Sequence, residues 1–155
     1  MRVPFEKTAA SAAVLLILAS LTGLLANRMS ARGIPLSPPP ALPGQMLPFE
    51  VVWEAHDEGT AVFIDARIRE EYETGHIAGA VSVPYLERDQ HLDKLTREVP
   101  KDAWVIIYCD GADCEASLKL SSWMTQKGWQ RADIFEEGYP AWYDSGLAIS
   151  EGSEP

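Results

Sequence analysis

From residue 47 onward, short apolar runs alternate with amphipathic stretches along the chain. Runs rich in β-branched and aromatic residues predict buried strands at Ala61–Ile64, within His76–Pro84, at Trp104–Tyr108 and at Arg131–Phe135. Helical spacing predicts helices at Pro48–Glu58, Arg69–Glu73, Tyr85–Glu98, Glu115–Lys127 and Gly138–Ser145. Strands that alternate with helices indicate an α/β fold in which helices cover both faces of a mostly parallel central sheet.

Three of these helices carry apolar residues on one face, which we expect to pack against the sheet. In the first predicted helix these residues are Val51, Val52 and Ala55. In the two longest predicted helices they are Leu86, Leu92, Leu95, Ala116, Leu120, Trp123 and Met124.

The chain begins with a different pattern, a run from residue 9 to residue 26 that contains no charged side chain. As a helix rising about 1.5 Å per residue, this run would extend roughly 27 Å, close to the hydrocarbon thickness of a bilayer. A cleavable signal peptide needs small residues one and three positions before the cut, and Leu24 is three before a cut after Ala26. We therefore predict an uncleaved single-pass transmembrane signal anchor at 9–26, preceded by a short segment at 1–8. A cleaved signal peptide is the alternative.

The segment between this run and the predicted domain is rich in proline. Residues 27–46 include Pro35, Pro38, Pro39, Pro40 and Pro43. Since proline fixes φ and removes a hydrogen-bond donor, we expect a semi-rigid linker there. The domain is predicted to span 47–149, followed by a disordered tail at 150–155. The short basic N-terminus favours a cytoplasmic start, which would place the domain on the periplasmic or extracytoplasmic side of the membrane.

Charge is distributed unevenly along the chain. Of its 13 basic and 23 acidic side chains, four basic and one acidic lie in residues 1–44. Residues 45–155 therefore hold 9 basic and 22 acidic side chains, a net charge of −13. Such a domain is repelled by nucleic acid and by anionic lipid surfaces, so we exclude a nucleic-acid partner.

The most reactive position of the predicted domain is Cys109, which directly follows the most apolar predicted strand. Reactive groups of parallel α/β sheets lie at the carboxyl ends of strands, and Asp65 follows another strand in the same way. Backbone N–H groups of a loop and of a helix N-terminus stabilise a thiolate, the nucleophilic form of cysteine. We therefore predict that Cys109 is a nucleophile with a lowered pKa. The alternative is a small, inert core cysteine.

Four stretches of the domain carry a resemblance to a known family. They read VFIDAR at 62–67, EYETGHIAGAVSVP at 71–84, VIIYCDG at 105–111 and EEGYPAW at 136–142. With these motifs the chain resembles the single-domain rhodaneses, or sulfurtransferases, from residue 47 to residue 149. The resemblance implies a rhodanese-like α/β fold and an enzyme that takes sulfane sulfur from a donor such as thiosulfate. The sulfur would be held as a persulfide on Cys109 and passed to a thiol or a cyanide-type acceptor.

The resemblance also implies that the loop after Cys109 binds the anionic persulfide through its backbone amides. The loop residues are Asp110, Gly111, Ala112, Asp113, Cys114 and Glu115. Beneath the loop we expect Asp65 and Arg67 to form a supporting ion pair, and His76 to hold the GHIAGA turn by hydrogen bonds. The expected partners are a small sulfur donor, a thiol acceptor and, through the N-terminal helix, the membrane. No cofactor is expected, and no metal, because two thiols without a suitably spaced His make too few ligands.

The chain departs from the family pattern at Cys114, where many active members carry Arg five residues after the catalytic cysteine. The acids Asp110, Asp113 and Glu115 should weaken thiosulfate binding and raise the thiol pKa. Three roles are open for Cys114, the second of the two cysteines in the chain. It could resolve the Cys109 persulfide, form a structural disulfide in an exported domain, or be inert at the helix start.

Two other functions compete with sulfur transfer. The domain could be a non-catalytic rhodanese-fold binding or regulatory module, or a thiol–disulfide redox protein that uses Cys109 and Cys114. A phosphatase of a related fold is disfavoured, because such enzymes hold phosphate with a Cys-x5-Arg motif. In this chain Glu115 stands at the position of that Arg.

Overall fold

The computed structural model describes residues 14–23, residue 26 and residues 44–155. Residues 14–23 form a helix. Within the described ranges, no helix is both long enough and apolar enough to cross a membrane. The predicted N-terminal segment, parts of the predicted anchor at 9–26 and most of the predicted linker at 27–46 lie outside the described residues.

The domain is built on a five-stranded parallel sheet. The strands in chain order are β1 (Met46–Leu47), β2 (Val62–Asp65), β3 (His76–Ile77), β4 (Val81–Ser82), β5 (Trp104–Tyr108), β6 (Arg131–Phe135) and β7 (Ile149–Ser150). Strands β1, β6, β5, β2 and β4 form the parallel sheet in that spatial order. The short strands β3 and β7 pair antiparallel in a separate sheet. The predicted α/β fold with a parallel central sheet is confirmed.

Helices cover both faces of this sheet. They are α1 (Phe49–Asp57), α2 (Arg69–Thr74), α3 (Arg88–Glu98), α4 (Glu115–Gln126) and α5 (Gly138–Asp144), with a 3-10 helix at Tyr85–Glu87 before α3. One core cluster joins α3 and α4 to the sheet through Leu95, Leu120, Trp123 and Met124. A second cluster joins α1 and α5 to the opposite face through Val52, Ala55 and Trp142.

The alternation of side chains along β5 decides which face Cys109 belongs to. Successive residues of a strand point to opposite faces of the sheet. Val105 and Ile107 pack in the cluster with α3 and α4, whereas Ile106 and Tyr108 pack in the other. Cys109 continues the first series and lies in the cluster with α4. The nucleophile predicted from sequence is therefore directed at the start of the helix that follows it.

Two predictions of buried helix positions were wrong. Leu86 is 82% exposed, because the chain forms a 3-10 turn after Pro84 and the regular helix begins only at Arg88. The helical phase assumed for the whole stretch therefore does not hold at its start. Val51 lies at the exposed edge of α1, while Val52 and Ala55 face the core.

The ends of the domain extend beyond the predicted boundaries. Met46 belongs to β1, and the Gly44 N–H donates to the Ala132 carbonyl oxygen at 2.9 Å. Ser150 belongs to β7, and the Gly152 N–H donates to the Glu73 carbonyl oxygen at 2.8 Å. The linker prediction was thus wrong at its last residues, and the prediction of a disordered tail was wrong through Gly152. A two-residue strand is too short to show a period in the sequence, and its partner strand lies far away in the chain.

Candidate active site

Cys109 lies at the carboxyl end of β5, the middle strand of the parallel sheet. Its Sγ atom donates to the Cys114 carbonyl oxygen at 3.3 Å and lies 3.2 Å from the Ser117 Oγ atom. The Gly111 carbonyl oxygen is 3.9 Å from the same sulfur. The residue is 1% exposed. The thiol is thus enclosed by its own loop and by the first turn of α4.

The surroundings of this sulfur hold it in the protonated form. Burial, together with hydrogen bonding to the Cys114 thiol, raises the pKa of Cys109 to about 11. Contacts with the side chain and backbone of Ser117 act in the opposite direction and are smaller. The prediction of a lowered pKa was wrong, because burial of the thiol outweighs the hydrogen bonds with Ser117 that stabilise the thiolate. In this loop conformation Cys109 is therefore a protonated thiol rather than a thiolate.

The loop that carries the predicted persulfide site is a tight turn. The Cys114 N–H donates to the Gly111 carbonyl oxygen at 3.0 Å, and Gly111 has φ +107°. Cys114 is the N-cap residue of α4 and is half-buried, whereas Ala112 and Asp113 are exposed. The turn brings both ends of the loop together, so that the two cysteines belong to one site.

The backbone after β6 holds this loop from the other side. Gly138 has φ +66°, and a Cβ atom there would overlap the Cys109 carbonyl oxygen and lie 2.6 Å from the Gly111 nitrogen. The next N–H, that of Tyr139, donates to the Cys109 carbonyl oxygen at 2.8 Å. Glycine is therefore required at position 138 both by the left-handed backbone and by the close approach.

Asp65 and Arg67 form a buried ion pair beside the loop. Arg67 Nη2 lies 2.7 Å from Asp65 Oδ2, and Arg67 Nε lies 3.1 Å from each carboxylate oxygen. Nη2 also donates to the Gly75 carbonyl oxygen at 2.7 Å, and the guanidinium stacks 4.1 Å from the centre of the Tyr139 ring. Burial alone would lower the pKa of Arg67, but the bond to Asp65 and its charge outweigh burial and raise the pKa. The pair joins β2, the turn after α2 and the start of α5.

His76 is fully buried and contacts α2. Its Nδ1 atom lies 2.8 Å from the Tyr72 carbonyl oxygen, and its ring stacks 3.7 Å from the Tyr72 ring. The ring thereby ties β3 to the last turn of α2. Across residues 14–23, 26 and 44–155, no group of three His, Cys, Asp or Glu side chains is arranged to hold a metal ion.

A cleft of about 440 Å³ opens beside the loop. Cys114 borders this cleft, whereas Cys109 is buried. Two cationic side chains, Arg67 and Lys119, line it together with the acids Glu71, Glu87 and Asp110. Apolar surface also borders it, mainly from Ala66, Ile68, Pro84, Tyr85, Leu86 and Ala116. The cleft therefore offers both charge and apolar contact to a molecule that reaches the loop.

This geometry has a counterpart among known proteins. The family model described as "Rhodanese-like domain" matches residues 49–145 of the chain. The chain belongs to the rhodanese-like domain family.

Individual relatives of this rhodanese-like chain have different functions. An HTH-type transcriptional regulator of Mycobacterium tuberculosis is 30% identical over 97 residues, which cover 63% of this chain and 41% of that protein. The chain thus spans less than half the length of this curated relative. The crystal structure of thiosulfate sulfurtransferase from Pseudomonas aeruginosa matches at 26% identity and a TM-score of 0.56, covering 72% of this chain and 21% of that one.

A smaller solved protein shows the same fold at greater coverage. The BH2092 protein from Bacillus halodurans matches with a TM-score of 0.60 and 20% identity, covering 71% of this chain and 78% of that one. The shared fold therefore covers about four fifths of that protein and most of the region after residue 44 of this chain.

In this rhodanese-like domain, two of the three loop acids are paired with cations. Asp110 Oδ1 lies 3.7 Å from Arg67 Nη1. Glu115 Oε2 lies 2.5 Å from Lys119 Nζ. Asp113 is exposed. The negative rim expected from the sequence is therefore partly neutralised at Asp110 and Glu115.

Sequence reasoning missed four residues of the rhodanese-like site: Gly138, Tyr139, Ser117 and Lys119. Lys119 follows Glu115 by four positions on a predicted helix, a spacing that indicates an ion pair. Ser117 lies three positions after Cys114, so one helical turn brings it to the loop. The contact between Gly138 and the loop joins positions far apart in the chain, and no local pattern indicates it.

Proposed function

We propose that this domain is a sulfurtransferase that carries sulfane sulfur as a persulfide on Cys109. One observation carries the proposal. A buried thiol lies at the carboxyl end of the central strand, in a turn closed by Ser117, Cys114 and the backbone after β6. Parallel α/β sheets place their reactive groups at this edge. The likeness to a thiosulfate sulfurtransferase supports the same chemistry.

The proposed reaction begins with the thiolate of Cys109 and the outer sulfur of a donor such as thiosulfate. A sulfur–sulfur bond forms to Cys109, the bond to the sulfonate group breaks, and sulfite leaves with the bonding electrons. A thiol or cyanide-type acceptor then takes the outer sulfur and returns the thiolate. No cofactor takes part in either step of this proposal.

The cleft is lined by two cations, Arg67 and Lys119, and by three acids, Glu71, Glu87 and Asp110. The two cations are the groups that an anionic donor would contact, because opposite charges attract. The raised pKa of Cys109 works against the first step, because only the thiolate attacks. We therefore expect the loop to rearrange when the donor binds, so that the sulfur leaves the carbonyl oxygens of Gly111 and Cys114.

An assay of sulfite released by the full-length chain tests this proposal. After reduction and exposure to thiosulfate, we expect stoichiometric release of sulfite, because each molecule has one Cys109. Cys109→Ser should release none while keeping its far-ultraviolet circular dichroism spectrum. Sulfite release by the folded Cys109→Ser variant at the wild-type rate would show that another group is the nucleophile.

A second candidate function is a non-catalytic binding module of the same fold. The enclosure of Cys109, 1% exposed, favours it, and so does the transcriptional regulator among the relatives. A module of this kind would release no sulfite from thiosulfate or from other sulfane-sulfur donors, so the same experiment separates the two functions.

We also propose that residues 9–26 anchor the chain as a single membrane-spanning helix, with the domain on the extracytoplasmic side. The charge-free run and its length support this proposal. N-terminal sequencing of the protein from a membrane fraction should find residues before 20. A mature soluble form that begins after residue 20 would contradict the anchor.

A further inference from the structure

Cys109 and Cys114 are in direct contact within the loop. The Cys109 Sγ atom donates to the carbonyl oxygen of Cys114 at 3.3 Å, so the sulfur touches the residue that carries the second thiol. The turn from Gly111 to Cys114 holds the two ends of the loop together. Both cysteines are free.

The two thiols differ in access to solvent. Cys109 is 1% exposed, whereas Cys114 is half-buried and borders the 440 Å³ cleft. An acceptor that enters the cleft therefore meets Cys114 before it meets Cys109. Any sulfur held on Cys109 in this loop conformation has Cys114 as its nearest thiol.

We propose that Cys114 is the resolving cysteine of the site, which attacks the Cys109 persulfide, releases hydrosulfide and closes a Cys109–Cys114 disulfide. This inference rests on the proposed function, since it requires the persulfide. The bond between the Cys109 sulfur and the outer sulfur breaks, and a bond between the two cysteine sulfurs forms. The outer sulfur leaves with the electron pair and takes up the proton that Cys114 gives away. The sulfane sulfur is reduced to hydrosulfide and the two cysteines are oxidised, so the step needs no external oxidant.

The alternative transfer, in which Cys114 takes the outer sulfur for itself, is disfavoured by its leaving group. That transfer must expel the thiolate of Cys109. The site raises the pKa of this thiol to about 11, and thiolates of weak acids leave slowly. Hydrosulfide is the anion of a much stronger acid and leaves more readily. The burial that raises the pKa of Cys109 therefore also directs the attack to the Cys109 sulfur atom.

The disulfide ends a single turnover, and a second one requires a dithiol reductant from outside. The donor class is a sulfane-sulfur compound and the product is hydrosulfide. The domain would then couple the reduction of sulfane sulfur to the oxidation of an external dithiol. The apolar rim of the cleft, with Ile68 51% and Leu86 82% exposed, gives a thiol-bearing reductant a surface to contact.

The test compares wild type, Cys114→Ser and Cys109→Ser as full-length, reduced proteins under anaerobic conditions, with thiosulfate as the probe. Wild type should release sulfite and sulfide in equal amounts and lose the mass of two hydrogen atoms. Cys114→Ser should release sulfite alone and gain the mass of one sulfur atom. Cys109→Ser should release neither. Trypsin cleavage after Lys101 and Lys119 leaves both cysteines in one peptide, so the internal disulfide is read directly from its mass.

Each other outcome overturns a defined part of the reasoning. Wild type that keeps the extra sulfur and releases no sulfide would refute the role of Cys114 and leave the proposed sulfurtransferase standing. Equal sulfide release by wild type and by Cys114→Ser would refute it as well. Absence of sulfite release from all three proteins would instead refute the proposed function. If Cys114→Ser does not fold, the tryptic peptide of wild type decides the question by itself.

Discussion

Substitution of Gly138 by alanine tests how the active-site loop is held. The new Cβ atom would overlap the Cys109 carbonyl oxygen and lie 2.6 Å from the Gly111 nitrogen. Because both neighbours are backbone atoms, no side chain can turn away to make room. Either the loop moves or the segment after β6 withdraws from it.

The size of the effect follows from two contributions. A left-handed backbone costs a residue with a Cβ atom about 1–2 kcal/mol. Separation of the two segments also breaks the hydrogen bond from the Tyr139 N–H to the Cys109 carbonyl oxygen, which contributes about 1 kcal/mol. Gly138→Ala should therefore lower the free energy of unfolding by roughly 2–3 kcal/mol. Gly146 is a matched control, because its φ is +67° and nothing lies within 4 Å of its ideal Cβ position.

Urea unfolding followed by tryptophan fluorescence measures both variants. Gly146→Ala should lose about 1–2 kcal/mol from backbone strain alone, and Gly138→Ala about 1 kcal/mol more. With a urea dependence of about 1–3 kcal/mol per molar, the midpoint of Gly138→Ala lies below that of Gly146→Ala by up to roughly 1 M. Sulfite release should fall in Gly138→Ala and persist in Gly146→Ala under conditions where both are folded. Equal losses of stability and equal activity would show that the segment after β6 does not hold the loop.

Two further predictions concern charge and protonation. Lys119→Gln removes a cation from the cleft and should raise the thiosulfate KM roughly two- to threefold at low salt, with a smaller effect at high salt. The control is Lys94→Gln, which removes a similar helical ion pair with Glu98 away from the cleft. It should leave KM unchanged in the same steady-state assay. Because the folded pKa of Cys109 is raised from 9.0 to about 11, the thiol contribution to stability is present below about pH 9 and is lost as pH rises towards about 11. Urea unfolding across this range should show a steeper loss for wild type than for Cys109→Ser, and parallel curves would contradict the raised pKa.

The sequence allowed the parallel sheet and its reactive edge to be predicted because local pattern and tertiary environment agree there. Trp104–Tyr108 is apolar throughout and is central in the sheet, so its predicted and observed bounds coincide. The predicted and observed bounds of Arg131–Phe135 coincide as well, although this strand contains Arg131 and the buried Asp133. A parallel strand that is buried on both faces is typically a continuous run of apolar residues, which can be recognised from the sequence alone.

Features that depend on distant partners could not be predicted. The protonated state of Cys109 follows mainly from the burial of its thiol, which the loop sequence does not reveal. The exposure of Leu86 follows from a 3-10 turn whose phase differs from that of the following helix. The strands at Met46 and Ser150 have two residues each and exist only because partners arrive from elsewhere in the chain.

The residues that line the cleft differ in how much substitution they tolerate, and this difference matters for laboratory evolution of the domain. Arg67 forms an ion pair with Asp65 and a hydrogen bond to the Gly75 carbonyl oxygen. Its replacement would leave the buried Asp65 carboxylate unpaired, so this position tolerates little variation. Ile68 and Leu86 border the same cleft but are 51% and 82% exposed, and substitutions at such sites usually change stability by less than about 0.5 kcal/mol. A combinatorial library confined to Ile68 and Leu86 should therefore change which molecules enter the cleft with little change in the stability of the domain.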